Sequence, residues 1–197
     1  AKGSMTLTKS AAYLEGRNNQ KPVVARGLDI IKKYSTISFD EHLKMQRKSL
    51  ENFWHYSDII IDGDNLIQQG VRFSLFQLFQ SVGKDGLTNV AAKGLTGEGY
   101  KGHYFWDTEI YILPVFQLTH PQIAEKLLIY RYNSLEEARK EARILGHKKG
   151  AKYPWRTITG RECSTFFPAG TAQYHINGDI AYGFIQHFLQ HGDLDFI

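Results

Sequence analysis

Along most of this chain the apolar positions recur with the period of a helix rather than a strand. Pro22 suits a first helical position, so a helix is expected from there to about Tyr34. Ser38 and Glu41 have capping-box spacing and open a second helix, with Phe39, Leu43, Leu50, Phe53 and Trp54 as its apolar stripe. The third helix is the most clearly written. Asp64 is a good N-cap and Gly83 a good stop. Between them Leu66, Ile67, Val71, Phe73, Leu75, Phe76, Leu78, Phe79 and Val82 cover more than one face. A helix apolar on most sides is expected to be buried. Gln68 and Arg72 lie four apart on it, and each needs a partner from protein or ligand.

Further along, a helix is predicted from about Trp106 to Leu118, with Asp107 or Thr108 as its cap and Pro114 as a kink. Pro121 opens another. Asn133 interrupts it, Ser134 with Glu137 reads as a second capping box, and Gly146 ends the stretch. The last helix is predicted from about Asn177 to His191, stopped by Gly192, burying Ile180, Ala181, Phe184, Ile185, Phe188 and Leu189. Residues 4–14 alternate loosely and read as one strand with no partner nearby in sequence. Residues 15–21 are polar and read as a linker, while residues 84–105 and 147–176 are long loops, often functional in a compact chain. No βαβ alternation and no fixed repeat appear, so the class is mainly α, a helical array with one N-terminal strand. A fresh Asp193-Leu-Asp-Phe196 start just before Ile197 reads as part of a longer chain.

Composition adds exclusions. The 197 residues are 42% hydrophobic and 22% charged, which argues against disordered and fibrous classes. The excess of 24 Lys and Arg over 20 Asp and Glu is scattered, and no nucleic-acid motif appears, so a nucleic-acid partner is the poorest option. No run approaches the ~20 apolar residues needed to cross a bilayer, and no apolar stretch follows Lys2 to make a signal peptide. Cys163 is the only cysteine, which leaves no intramolecular disulfide framework and no Cys-rich zinc site. With no local nucleophile signature it reads as an inert thiol.

The candidate chemistry clusters in the loops. Gly97 to Gly102 matches G-x-G-x-x-G, but it lacks the preceding strand and following helix of a dinucleotide site, so it reads as a loop where backbone approaches something closely. Phe105-Trp106-Asp107-Thr108-Glu109 places an indole beside two carboxylates. Either Asp107 caps a helix with Glu109 favouring its dipole, or the group is a sugar site. An indole covers the C–H face of a pyranose while carboxylates accept from its hydroxyls. Such a pair could also serve as acid and base for glycoside cleavage. His187 and His191 have metal-ligand spacing but read as a solvated face, and no metal is expected. His175 precedes Asn177 and Asp179, which either cap the last helix or line a site.

Several segments together resemble glycoside hydrolase family 65, the maltose, trehalose, kojibiose and nigerose phosphorylases. They are Ile61-Asp-Gly-Asp64, Gln69-Gly-Val-Arg-Phe73, Ala92-Lys-Gly-Leu-Thr-Gly-Glu-Gly-Tyr100, Gly102-His-Tyr-Phe-Trp-Asp-Thr-Glu109, Leu128-Ile-Tyr-Arg-Tyr132, Tyr153-Pro-Trp155 and His175-Ile-Asn-Gly-Asp-Ile-Ala-Tyr182. The resemblance implies residues 1–19 as the tail of an N-terminal β-sandwich region, 20–57 as linker helices, and 58–197 as the first part of an incomplete (α/α)6 catalytic barrel. It implies phosphorolysis with inversion, in which an α-linked glucose disaccharide and phosphate give β-glucose 1-phosphate and a free sugar. Phosphate is then the co-substrate and no cofactor is expected. By position in the motif, Trp106 and Asp107 match residues that hold the transferred glucose, and Trp155 with Arg156 matches the acceptor side. Tyr100, His103, His175 and Arg72 complete the expected substrate-binding set. The family's general acid lies in a Gly-Pro-Asp-Glu-Tyr-His motif that this sequence does not contain. No residue here is therefore expected to be the catalytic acid, and the chain alone is expected to be inactive. The stretch 162–175 looks closer to kojibiose, nigerose or trehalose types than to maltose types. The resemblance also implies a homodimeric parent, and the lack of an export signal with phosphate supplied inside cells makes a cytoplasmic one the expectation. The alternatives are a family 65 hydrolase of the acid trehalase kind and a noncatalytic carbohydrate-binding module.

Overall fold

A computed structural model of the chain describes residues 3–14, 22–166 and 168–196, which form two compact units, Ala1–His55 and Tyr56–Ile197. The segment read as a linker, 15–21, lies outside the described residues.

The first unit contains α1 (Val23–Ser35) and most of α2 (Phe39–Ser57). Pro22 sits just outside α1, its carbonyl accepting the first helical N–H, that of Arg26. The Ser38 hydroxyl accepts from the Glu41 N–H at 3.2 Å, one half of the predicted capping box. Of the predicted stripe on α2, Phe53 is buried but Phe39 is exposed. Residues 3–14 do not form the expected strand. An extended segment becomes a strand only by exchanging hydrogen bonds with a neighbour, and none of the described residues supplies that ladder.

The second unit holds α3 (Asn65–Ser81), α4 (Leu113–Thr119), α5 (Pro121–Asn133), α6 (Leu135–Ile144) and α7 (His175–His191). Asp64 caps α3 as predicted, its Oδ1 accepting from the N–H groups of Leu66 and Ile67. The core lies where α4, α5 and α7 meet one another and the end of α3. Val82, Val90, Leu113, Phe116, Ala124, Leu127 and Leu128 fill it, with Leu78, Ile123 and Phe184 against them. Gly183 lets α7 approach: a Cβ there would stand 2.9 Å from Leu113 Cδ2 and 3.4 Å from Leu128 Cδ2. Beside it the buried Gln117 amide donates to the Gly183 carbonyl at 3.0 Å.

Three further expectations change. First, α3 is not buried: only Leu75 is, while Leu66 is 79% and Phe73 61% exposed. One side of its far end meets the core, and its other apolar sides have no described element over them. Second, the buried seam of α7 is Ile176, Ile180, Gly183 and His187, with Ile185 and Leu189 turned out. The missing side chain at Gly183 draws that line of the helix inward, about a residue away from the richest apolar face. Third, Ser134 makes no capping bond. Its hydroxyl donates to the Tyr130 carbonyl at 2.8 Å, the back-bond that serine makes when a helix precedes it. No helix among the described residues is long and apolar enough to cross a membrane.

Candidate functional site

Two long loops, one on each side of α5 and α6, are joined by an antiparallel bridge. Tyr104 and Thr157 exchange both backbone hydrogen bonds, at 2.7 and 3.1 Å. That bridge brings residues 105–107 beside residues 155–156. Phe105 is buried edge-on to Trp155 with ring centroids 5.4 Å apart, and Tyr100 meets Phe105 edge-on at 5.2 Å. Around them opens a cavity of about 500 Å³. Lys93, Tyr100, Trp106, Asp107, Trp155 and Gln173 supply its polar and aromatic lining, with Val90, Ala91, Ala92 and Ile112 as an apolar floor.

The local backbone explains why Trp106 and Asp107 face this space. The predicted helix does not start at Trp106. Residues Thr108–Ile112 form a π-helical turn, closed by the Leu113 N–H on the Thr108 carbonyl, and α4 follows. Single π turns are frequent at functional sites. Pro114, read as a kink, stands in the first turn of α4 directly after the π turn, so one helical N–H bond is missing at that junction. Asp107 makes no capping bond with its side chain, which stays exposed at the cavity. Its carboxylate is therefore available as an acceptor.

Glu109 takes the opposite course. It is fully buried and holds Arg131, also fully buried, through Nε to Oε1 at 2.7 Å and Nη2 to Oε2 at 2.8 Å. Arg131 Nη2 also donates to the Phe105 carbonyl at 2.9 Å, and the Tyr153 hydroxyl donates to the Arg131 carbonyl at 3.1 Å. Burial works against the Arg131 charge, but the facing Glu109 carboxylate outweighs it and raises the guanidinium's pKa. Glu109 is thus a buried counter-ion behind the site. The reading of Asp107 and Glu109 as an acid and base pair does not fit this geometry, because only Asp107 reaches the cavity.

The other candidates divide. His175 stands edge-on to Trp106, centroids 4.9 Å apart, and pairs with Asp179 at 2.7 Å and with the Gln173 side chain at 2.9 Å. It braces two lining residues. His103 and Arg156 lie behind Tyr100: His103 Nδ1 is 2.6 Å from the Tyr100 carbonyl and 3.2 Å from Arg156 Nη2. Arg72 does not line the cavity. Asp58 holds it through two bonds, the shorter 2.5 Å, and that guanidinium lowers the Asp58 pKa. Gln68 likewise finds protein partners in the Ile59 carbonyl and the Ile61 N–H. Asn177 does not cap α7 but ties it to the second loop, accepting from the Tyr153 N–H and donating to the Ala151 carbonyl.

Trp155 is itself held from several sides. The Glu162 carboxylate accepts from the N–H groups of Trp155 and Ser164, each at 2.7 Å. Gly170 packs so closely that a Cβ there would lie 2.8 Å from the Trp155 ring. Lysine 93, Gln173 and the Glu109–Arg131 pair were not singled out from the sequence. Lys93 carried a signal there, since it opens the glycine-rich run, but the pair's partners come from separate helical turns.

The remaining motifs carry less. Gly97 to Gly102 adjoins neither strand nor regular helix and forms an irregular turn. His187 is buried rather than solvated, 4.7 Å ring to ring from His191. Among the described residues no three His, Cys, Asp or Glu groups are placed to share a metal ion. The Cys163 thiol has its pKa raised by partial burial and then by Glu162, which favours the unreactive form.

Comparison with known proteins follows the same outline. The profile of the glycosyl hydrolase family 65 central catalytic domain matches residues 72–197. An alpha,alpha-trehalose phosphorylase of Geobacillus stearothermophilus is 52% identical over 191 residues, covering 97% of this chain and 25% of that protein. A kojibiose phosphorylase of Halothermothrix orenii is 42% identical over 190 residues, covering 89% of this chain and 24% of the relative. A solved structure assigned as a kojibiose phosphorylase from the human microbiome superposes with a TM-score of 0.85 at 34% identity, over 92% of this chain and 24% of its own. The chain thus spans about a quarter of the length of the relatives it matches.

Proposed function

This chain belongs to glycosyl hydrolase family 65, and from that premise we propose that it is a segment of an inverting disaccharide phosphorylase whose cavity holds the glucose unit being transferred. In this reading residues 58–197 are the first part of an (α/α)6 barrel, residues 20–57 its linker helices and residues 1–19 the tail of a preceding β-sandwich region. The observation that carries the reading is that Trp106, an Asp107 whose side chain makes no capping bond, and Trp155 all line one cavity. An indole ring and an unpaired carboxylate are the two surfaces a pyranose presents itself to, one for its C–H face and one for its hydroxyls.

The proposed reaction needs one side-chain acid. It protonates the glycosidic oxygen as the C1–O bond breaks, and a phosphate oxygen forms the new C1–O bond from the opposite face. Phosphate brings its own negative charge, so no base has to activate water, as an inverting hydrolase requires. Asp107 would accept from glucose hydroxyls, and Trp155, with Arg156 behind it, would shape the acceptor side. The acid would be a glutamate outside these 197 residues, since Glu109 is committed to Arg131 and no Gly-Pro-Asp-Glu-Tyr-His motif is present. Inorganic phosphate is the proposed co-substrate, and the full-length enzyme is proposed to act as a cytoplasmic homodimer. Trehalose is the first disaccharide to try, given the 52% identity to a trehalose phosphorylase.

The test is product analysis with trehalose, kojibiose, nigerose and maltose, with and without phosphate, on this chain and on the full-length protein carrying it. Glucose 1-phosphate formed only with phosphate, and only by the full-length protein, is the expected result. Cleavage without phosphate would make the enzyme a hydrolase. Turnover by this chain alone would refute the placement of the acid. In the full-length protein Trp106→Ala should cut kcat/KM by about 10- to 100-fold, since it removes a stacking face worth roughly 1–3 kcal/mol.

A further inference from the structure

The glycine-rich run that fails as a dinucleotide turn has a different geometry, and its focus is Lys93. The Gly97 N–H donates to the Lys93 carbonyl at 3.1 Å, closing a tight loop back on the lysine. A Cβ on Gly97 would lie 2.4 Å from that carbonyl oxygen and 2.8 Å from Lys93 Cβ, closer than real atoms approach. At Gly99, with φ of +105°, the position of a Cβ is 3.8 Å from Lys93 Cγ and 4.0 Å from Cε, so the lysine stem runs across this bare glycine. The ammonium arrives 5.9 Å from the centroid of the Tyr100 ring, on the cavity lining.

The turn that follows is held in an unfavourable backbone region. Tyr100 and Lys101 both have φ of +50°, between the left-handed Gly99 and Gly102. Such conformations cost about 1 kcal/mol or more per non-glycine residue and persist only where surroundings enforce them. Here the Tyr100 carbonyl receives the His103 N–H at 3.0 Å, with His103 Nδ1 at 2.6 Å and Arg156 Nη2 at 3.5 Å. The Tyr100 ring packs edge-on to Phe105, and the lysine stem passes Gly99 to bring its ammonium near that ring.

Lys93 also differs from the other lysines near the core. Lys84 donates to the Phe79 carbonyl and Lys152 to the Tyr153 carbonyl, whereas no described carboxylate or carbonyl receives the Lys93 ammonium. Among the described residues lining the cavity the charged side chains are Lys93 and Asp107, one of each sign. A cavity with balanced charge, a strong donor, a strong acceptor and aromatic walls suits an uncharged polyhydroxyl ring better than a dianion.

We propose that Lys93 is a substrate-binding residue that donates to hydroxyl groups of the bound sugar, complementing the acceptor Asp107, and that Gly97 and Gly99 are required to aim it. The assignment rests on the reading of the cavity as a sugar site. Its ligand is a neutral glucose unit; phosphate binds elsewhere.

The test is calorimetric titration of the full-length protein with glucose, for the wild type, Lys93→Met, Lys93→Arg, Gly97→Ala and Trp106→Ala, with circular dichroism confirming the fold. Lys93→Met is expected to weaken glucose binding about 10-fold or more, the loss of a charge-assisted donor, and Lys93→Arg to restore most of it. In turnover assays Lys93→Met should raise KM for the disaccharide and leave KM for phosphate unchanged. Gly97→Ala should reproduce the Lys93→Met loss; if it does not fold, Lys93→Met alone decides. Equal glucose affinity for wild type and Lys93→Met, with Trp106→Ala weakened, would overturn the role of Lys93 and leave the sugar cavity standing. A raised phosphate KM instead would also overturn it. No glucose binding by the wild type would overturn both readings.

Discussion

Replacing Glu109 by Gln is the sharpest perturbation that the site offers, because it keeps the shape and removes one charge. Glu109 and Arg131 are both fully buried, and Arg131 donates two hydrogen bonds to the Glu109 carboxylate, at 2.7 and 2.8 Å. In Glu109→Gln the amide can still accept at one atom but presents an N–H₂ to a guanidinium at the other. The Arg131 charge then remains buried without a counter-ion, and Arg131 cannot shed its proton at any ordinary pH. Breaking one partner out of such a pair costs about 3–5 kcal/mol. A domain of this size has roughly 5–15 kcal/mol in total, so the variant should be marginal. With a urea slope of about 2 kcal/mol per molar, the midpoint should fall by roughly 1.5–2.5 M. The assay is urea unfolding of the chain followed by near-ultraviolet circular dichroism. The double variant Glu109→Met with Arg131→Met removes both charges and should be more stable than Glu109→Gln. It should fall short of wild type, because the Phe105 carbonyl loses its donor from Arg131 at about 1–3 kcal/mol. A loss below about 1 kcal/mol in Glu109→Gln would refute the buried-pair argument. So would a double variant that loses the sum of the two single losses, since coupled neighbours do not add.

Other predictions follow from single contacts. Gly170→Ala would place a Cβ 2.4 Å from Ser164 Oγ and 2.8 Å from the Trp155 ring, so Trp155 must move. A changed tryptophan emission with weakened glucose binding is expected, and an unchanged emission would count against the packing described. The folded chain should lose stability on acidification through its buried histidines. The His187 pKa lies below its usual 6.5 because of burial and then the neighbouring His191, opposed by Glu125 and Asp193. His120 is lowered by burial as well. Below about pH 6.5 the unfolded chain therefore takes up protons that the folded one refuses, and unfolding is favoured as pH falls through that range. Urea midpoints at pH 7.5 and 5.5 should show the decline, smaller in His187→Phe; an equal decline in that variant would exclude His187 as a source.

How much of this could be read from the sequence depended on the reach of each interaction. Asp64 needed only the next three residues to cap α3, and Gly192, left-handed with φ of +67°, needed only its own lack of a side chain to end α7. Both were legible. Ser134 was not, because its hydroxyl had a choice between the coming helix and the carbonyl of Tyr130 in the one just ended. The face of α7 was misjudged by about a residue, since a face is set by what lies opposite, and Gly183 counts as apolar only once Leu113 and Leu128 stand against it. At the site, Trp106, Asp107, Trp155 and Tyr100 are legible in the sequence, and all four line the cavity. Lys93 and Gln173 were missed, because lysine and glutamine in loops are ordinarily solvated and only the cavity's shape marks them out. Arg72 was placed among the site residues, but Asp58 lies close enough to take it.

The π turn at Thr108–Ile112 bears on how this stretch can change length. Such a turn is an α-helix carrying one residue more than its regular hydrogen-bonding requires. Deleting one residue between Thr108 and Ile112 would let the segment relax to an ordinary helix without breaking the chain, and the deletion would look mild to any measure of helix content. Yet the part before it would rotate by about 100° relative to α4, the angle each helical residue subtends. Either Glu109 would leave Arg131 or Asp107 would leave the cavity, and no substitution elsewhere could restore both. Carboxylates two positions apart already point about 200° from each other along a helix; the surplus residue sets how that pair is aimed relative to α4, one toward the cavity and the other toward Arg131.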